Sequence, residues 1–480
     1  MVFAHPLFLY LFLPLNLAIY RFVPSIKAKN IVMLVFSLIF YAWGEPVYLL
    51  LLLLMTAADW LIVKKMDSYG ASSKQAKLCM AGVCAVNLGL LCVFKYGMFV
   101  LSNVKFLTGF PAKIPSIALP IGISFYTFQL LSYAVDVYRR EVVAQKSFPT
   151  LLLYVSLFHQ CIAGPIVRYS DVCRELNERR ATPQDVMSGI YRFTIGLTKK
   201  SLLANACALL ADKLLIPDGG SSALLASRSV VSLWVGVLCF TLYIYLDFSA
   251  YSDMAIGMGR MIGIHYKENF NYPYLSRSVS AFWRRWHISL GSFFKDYLYI
   301  PLGGSNKGKY RTVLNLLIVW LLTGLWHGAS WNFVLWGLYF FILLCLEKFF
   351  LARWLTKIPR LSVAYSLIAV YFGWILFKFV RMGDILTVLK GMFGISGNAF
   401  CGFETATLIA NNAVILAVCI IACTPLVKIV SEKVRIFCEK NTRFFPVYVG
   451  LRAAAPLGML FISTACLVGN SYNPFLYFRF

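Results

Sequence analysis

Long apolar runs alternate along this chain with short, polar and mostly basic connections. The runs cover residues 7–20, 31–43 with 47–63, 78–101, 117–137, 229–246, 312–346, 362–380, 408–427 and 446–468. A helix needs roughly 20 residues to cross a hydrocarbon core of about 30 Å, so the longer runs predict membrane-spanning helices. Ten-residue segments alternating apolar and polar positions, the mark of a transmembrane barrel, do not occur. The pattern therefore predicts an all-α polytopic integral membrane protein with roughly 11–13 membrane segments, some of them short or re-entrant. The first run, Leu7 to Tyr20, has no basic stretch before it and no small-residue cleavage site after it. It reads as a first helix that stays, not as a signal peptide.

Composition removes the other classes. Of 480 residues, 60% are hydrophobic and 14% charged, whereas soluble domains carry about 25% charge. Length alone would suggest about three soluble domains, but this much charge cannot coat them. The apolar content is also far above that of disordered chains.

Charge changes the picture in one respect. Lys and Arg number 45 against 20 Asp and Glu, giving +25. The excess lies between the runs, at Arg21/Lys27/Lys29, Lys64/Lys65/Lys74/Lys77, Arg139/Arg140/Lys146, Arg174/Arg179/Arg180, Lys307/Lys309/Arg311, Lys348/Arg353/Lys357/Arg360 and Lys428/Lys433/Arg435/Lys440/Arg443. The positive-inside rule makes these connections cytoplasmic and points both termini outward. Each such charge near anionic headgroups contributes about 1 kcal/mol. Spread over so many loops, the charges form no single basic face, so nucleic-acid binding is not indicated. The 13 cysteines include no C-x-x-C pair and no Cys/His ligand spacing; they read as small packing residues, and no metal site is expected.

Two motifs imitate nucleotide sites. Gly303-Gly-Ser-Asn-Lys-Gly308-Lys309-Tyr310 nearly spells a phosphate loop, but Tyr310 stands where a Ser/Thr hydroxyl must hold magnesium. It reads as a polar turn. Gly257, Gly259 and Gly263 lack dinucleotide-loop spacing, and Gly259 with Gly263 suits small-residue helix packing. No G-x-S-x-G and no H-E-x-x-H occurs, so neither serine-hydrolase nor zinc-protease chemistry is supported.

Polar groups inside a membrane are rare and tend to be functional. Among the five histidines, His5 and His265 read as interfacial, and His159 as a satisfied structural group. His327 lies in Leu-Leu-Thr-Gly-Leu-Trp-His-Gly-Ala-Ser-Trp between two apolar stretches with basic flanks on the same side. That arrangement predicts a helical hairpin with Gly324–Ser330 near its tip. The helical rise from Leu314 to Leu325 is on the order of 18 Å, more than halfway into the membrane. Burial there disfavours the charged imidazolium, leaving the neutral ring that a general base requires. His287 lies in Ser-Val-Ser-Ala-Phe-Trp-Arg-Arg-Trp-His-Ile-Ser-Leu, where Phe282, Trp286, Leu290, Phe293 and Tyr297 recur at helical spacing. A basic, aromatic, amphipathic segment of this kind lies along an interface. Its two readings are membrane anchoring, or a site in which Arg284 and Arg285 meet an anionic donor beside His287.

Together these residues carry a resemblance. Trp326-His327-Gly328, some forty residues after Trp-Arg-Arg-Trp-His287, resembles the membrane-bound O-acyltransferase (MBOAT) family. Leu119–Gln129, Ala163-Gly-Pro-Ile-Val-Arg168, Asp247-Phe-Ser-Ala-Tyr-Ser-Asp-Met-Ala-Ile-Gly257, Asn269-Phe-Asn-Tyr-Pro-Tyr274, Asp296–Gly304 and Phe475-Leu-Tyr-Phe-Arg-Phe480 are similar to its bacterial alginate and peptidoglycan O-acetyltransferase branch. The resemblance implies one integral-membrane domain over 1–480, with N-terminal helices over 1–115, a catalytic core over 116–400 and C-terminal helices over 401–480, wrapped around a tunnel. It implies His327 as the catalytic histidine and His287 as the second polar residue, orienting the acceptor or stabilising the oxyanion. Trp326, Gly328, Trp331, Trp283 and Trp286 would wall the substrate path. Tyr251 and Asp253, with Asp247, would belong either to that path or to a packing network. Arg284 and Arg285 would bind the acyl donor. No resident cofactor is implied, only an acyl thioester co-substrate, acetyl-CoA or an acyl carrier protein. The implied function is O-acetylation of an exported polysaccharide from the bacterial inner membrane, with an extracytoplasmic acetyltransferase as partner. D-alanyl transfer to teichoic acid is the enzymatic alternative, and a transporter or flippase the alternative of another class.

Overall fold

The computed structural model describes residues 2–70, 73–109, 117–161, 164–217, 219–441, 443–469 and 475. Of the resembling motifs, Ala163 and residues 476–480 lie outside the described residues. Those described form helices, turns and loops, with no strand among them. They fall into two compact units. One comprises Met1–Phe193, Ser252–Glu268 and Ser292–Leu298; the other comprises Thr194–Tyr251, Asn269–Gly291 and Tyr299–Phe480.

Among the described residues, eight helices are long and apolar enough to cross a membrane: Ile26–Gly44, Pro46–Asp67, Lys74–Thr108, Val230–Met261, Trp331–Lys357, Pro359–Lys378, Phe403–Ala422 and Phe445–Val468. Three further expected segments lie outside that set, in keeping with the short or re-entrant segments the pattern predicts. The first run forms only the short helix Phe8–Phe22. The stretch 117–137 gives Ile123–Tyr138, 16 residues long. Residues 308–327 form a 20-residue helix with Lys309 and Arg311 in its first turn. Boundaries also move for local reasons: the run 408–427 stops as a helix at Ala422, because Pro425 follows and cannot continue the hydrogen-bond ladder.

In the first unit, side chains and prolines set the helix ends. Ser25 and Ser73 cap the helices that follow them by accepting from Ala28 N and Ala76 N. Pro46 starts one span a single residue after Gly44 ends another. Polar groups within these spans are bonded internally, as a membrane interior demands. Ser37 and Thr56 donate to the carbonyls of Met33 and Leu52 at 2.7 Å, and Asn87 donates to Asp59 at 2.6 Å. The packing of glycines differs from the sequence expectation. Gly257 faces Gly189 across two helices, and a Cβ on either would lie within 2.7 Å of the other's carbonyl oxygen. Gly259 instead accommodates the Tyr266 ring, and Gly263 lies beyond the helix in left-handed backbone, at φ 81°.

A charged knot closes this unit's polar edge. His265 Nδ1 lies 2.8 Å from Glu175 and its backbone N–H donates to the same carboxylate at 2.9 Å, while Nε2 lies 3.4 Å from Asp185. The bond to Glu175, opposed by some desolvation and helped by Asp185, raises the imidazole pKa above its ordinary value. A raised folded-state pKa stabilises the fold fully below the unfolded value of about 6.5, and the contribution is lost as pH rises through the folded value. We expect His265→Gln to remove the part of the melting temperature that is lost as pH rises above about 6.5, read by thermal melts in detergent. An unchanged pH dependence would contradict this.

In the second unit, Val230–Met261 contributes its N-terminal portion, buried along most of its length. The helices Gly308–His327 and Trp331–Leu346 run antiparallel, with Gly324 and Gly337 facing each other at their closest approach. This is the expected hairpin, and its turn is Gly328–Ser330. By contrast Phe403–Ala422 and Phe445–Val468 expose most of their apolar side chains, Val414 and Phe461 among them. Such faces suit lipid.

Candidate active site

His327 is the last residue of its helix, and extended backbone at Gly328 ends that helix. The chain can return at once only because Gly328 has no side chain: a Cβ there would enter the Phe333 ring. The imidazole is buried, 3% exposed. Trp336 meets it edge-on at 5.0 Å, Phe377 at 5.3 Å, and Phe333 lies at 6.4 Å. Its neighbour Trp326 packs against it at 5.0 Å and lies 5.8 Å from the ring of His287. Both histidines thus contact one indole.

His287 corrects the sequence reading of its segment. The apolar spacing from Phe282 to Tyr297 suggested one amphipathic helix; the structure breaks it into Val279–Trp283 and Ile288–Phe294. Two backbone bonds pull the chain out of helix, from Asn271 N to the Arg285 carbonyl at 2.9 Å and from Ile288 N to the Asn269 carbonyl at 3.0 Å. His287 itself takes left-handed backbone, φ 45°, a conformation rare outside glycine that clusters at functional sites. Its ring is 2% exposed, edge-on to Phe248 at 4.7 Å and 3.3 Å from Asn269 Oδ1 through Nδ1.

The other expected residues fall into three groups. Trp283 and Trp286 join the aromatic cluster beside the histidines: Trp283 packs on Trp320 and Phe340 at 4.9 Å and on Trp336 at 5.3 Å, and Trp286 on Trp374 at 4.9 Å. Arg284 and Arg285 are exposed at the turn before His287. Trp331, 55% exposed, begins the returning helix. Asp247 and Asp253 occupy ion pairs, each within its own unit. Asp247 pairs with the buried Lys200 at 2.7 Å, and Asp253 with Arg192 at 2.6 Å. Tyr251 packs edge-on against Phe475 at 4.9 Å.

Sequence reasoning passed over two residues that hold the site. Glu347, which directly follows the apolar run 312–346, is buried. Its carboxylate accepts from Val279 N, from Ser280 N at 2.9 Å and from Ser280 Oγ at 2.6 Å, so it caps the short helix carrying Trp283. A carboxylate inside an apolar stretch was the available signal. Asn269 stood in a quoted motif without a role. Among the described residues, no three His, Cys, Asp or Glu side chains converge as metal ligands.

Helices long enough to span a membrane and two buried histidines sharing an indole define a polytopic membrane protein with a dry, aromatic-walled site. Residues 138–381 match the membrane-bound O-acyltransferase family. The chain is 33% identical over 500 residues to the probable alginate O-acetylase AlgI of Pseudomonas putida, covering 100% of both chains. It is 30% identical over 531 residues to the peptidoglycan O-acetyltransferase of Helicobacter pylori, covering 100% of this chain and 98% of the other. The likeness to the teichoic acid D-alanyltransferase of Bacillus subtilis is 27% over 252 residues, 49% of this chain and 60% of that protein. The protein belongs to the membrane-bound O-acyltransferase family and is an O-acyltransferase. The transporter alternative falls away with that membership.

Proposed function

We propose that this enzyme takes an acetyl group from a cytoplasmic thioester and passes it across the bacterial inner membrane for O-acetylation of an exported or cell-surface polysaccharide. The observation that carries the reading is the pair of buried histidines that both contact Trp326. Full-length similarity to an alginate O-acetylase and a peptidoglycan O-acetyltransferase supports the acetyl group and the glycan, whereas similarity to D-alanyltransferases covers half the chain.

The chemistry follows from the groups present. A thioester is already activated, so no protein nucleophile is required. As the acceptor hydroxyl attacks the carbonyl carbon, His327 takes its proton; the C–O bond forms and the C–S bond breaks. The proton then goes to the departing thiolate, which leaves as the thiol. General-base help of this kind is typically worth about 10²–10⁴-fold. Trp326, Trp336, Trp283 and Phe377 keep water from competing with the acceptor, and Trp286 backs them. Gly328 and Trp331 form the hairpin turn by which substrate passes, and Tyr251 and Asp253 stiffen the surrounding helices. Arg284 and Arg285, exposed two and three residues before His287, meet the phosphates of coenzyme A or the acidic surface of a carrier protein. The chain forms one functional domain, and an extracytoplasmic acetyltransferase partner delivers the group to the polymer.

Purified protein given radiolabelled acetyl-CoA or, separately, a D-alanyl carrier protein should transfer label from acetyl-CoA alone. Transfer only from the D-alanyl carrier would replace this reading with teichoic acid D-alanylation.

A further inference from the structure

The hydrogen bonds around His287 determine which of its nitrogens carries the proton, and hence what it offers a substrate. Asn269 Oδ1 receives the backbone N–H of Ser289 at 3.1 Å and the Ser289 hydroxyl at 2.9 Å. A backbone N–H can only donate, so the Asn269 atom facing it is the amide oxygen, which can only accept. His287 Nδ1 lies 3.3 Å from that same oxygen and 3.4 Å from Ser289 Oγ. If Nδ1 held a lone pair, two acceptors would face each other at that distance inside an aromatic, water-poor surround, where an unmade bond is most destabilising. The Ser289 hydroxyl proton is directed to Asn269 at the shorter of its two contacts, and its oxygen lone pair remains available to Nδ1–H. The arrangement is consistent only when Nδ1 bears the hydrogen.

We infer that Asn269 is a positioning residue that locks neutral His287 in the Nδ1–H tautomer, so that Nε2 presents a lone pair and accepts a hydrogen bond from an O–H or N–H of the substrate. The inference rests on the acyl-transfer reading of the site and decides between the two roles open to His287. A neutral ring in this tautomer has no Nε2–H to give to a developing oxyanion. It grips an O–H or N–H donor of the acceptor, while His327 takes the proton of the attacking hydroxyl. The left-handed backbone at His287 and the bonds of Asn271 N and Ile288 N to this strand of chain hold ring and amide in register. Neither backbone bond involves the Asn269 side chain, so replacing that side chain leaves the scaffold connected.

The test uses full-length protein in proteoliposomes with radiolabelled acetyl-CoA as donor, coenzyme A release as the readout, and alginate oligomers or muropeptides supplied as surrogate hydroxyl acceptors in place of the partner. Asn269→Leu, which removes the acceptor, should lower kcat about 10²-fold and leave KM for acetyl-CoA unchanged, matching His287→Ala. Asn269→Asp, which keeps an acceptor at the same place, should stay within about tenfold of the unaltered enzyme. The double variant Asn269→Leu/His287→Ala should be no slower than His287→Ala alone, because two residues acting through one ring are not additive. Should Asn269→Leu fail to reach the membrane, Asn269→Ala carries the same comparison. Unimpaired transfer by Asn269→Leu while His287→Ala and His327→Ala are both slow overturns this inference and leaves the acyl-transfer reading standing. A double variant slowed by the product of the single effects also overturns it, by reducing Asn269 to a structural role. Full activity of His327→Ala overturns the reading of the site itself.

Discussion

Alanine in place of His327 is expected to slow acyl transfer by about 10²–10⁴-fold, the range a positioned general base contributes, while the protein still inserts and folds. Trp336, Phe377 and Phe333 surround the ring, so its removal leaves a hole among rigid aromatic groups and lowers stability as other large-to-small core changes do. His327→Gln separates the two effects: it fills most of the volume and keeps polar atoms but has no nitrogen basic enough to take a proton. Both variants should run as monodisperse species in detergent. The glutamine variant should melt near the unaltered protein, and both should transfer label at a small fraction of its rate. A His327→Gln enzyme within tenfold of full activity would remove His327 as the base.

The part of this site that could be read along the chain is the part that local pattern encodes. Apolar length, a His-Gly break and basic flanks on both sides sufficed to place Gly308–His327 and Trp331–Leu346 as a hairpin with His327 at its turn. Family motifs singled out His287 as well. Its geometry was not legible, because helical periodicity is a local property and the bonds that defeat it come from residues 269–271. The partners of Asn269 and Glu347 were not legible for the same reason. Each acts across a sequence separation of 18 and 67 or more residues respectively, and neither leaves a periodic trace. Local features also mark helix ends, as Pro425 does after the helix that stops at Ala422 and as Lys309 and Arg311 do in the first turn of Gly308–His327.

Gly324→Ala is expected to slow acyl transfer about 10²-fold, although Gly324 has no side chain with which to reach either histidine. Ordinarily alanine stabilises a helix interior relative to glycine by about 1 kcal/mol. Here the added methyl would fall on the carbonyl oxygen of Phe333, with Gly337 Cα 3.4 Å away. Both are backbone atoms of the facing helix, so no side chain can turn aside and the two helices must separate. Overpacking of this kind typically destabilises by about 1–3 kcal/mol. The displacement matters more to catalysis than to folding, since His327 follows Gly324 by less than one helical turn and misplacement of a reacting group by about 1 Å can reduce rate about 10²-fold. Gly337→Ala, whose methyl would meet the Trp320 carbonyl from the other helix, should reproduce the loss. Because both substitutions force the same separation, the double variant should lose less than the product of the two single effects. Rates, KM for the donor and melting temperatures of the three variants decide the matter. Full activity in Gly324→Ala would mean that the hairpin's close approach does not set the position of the base.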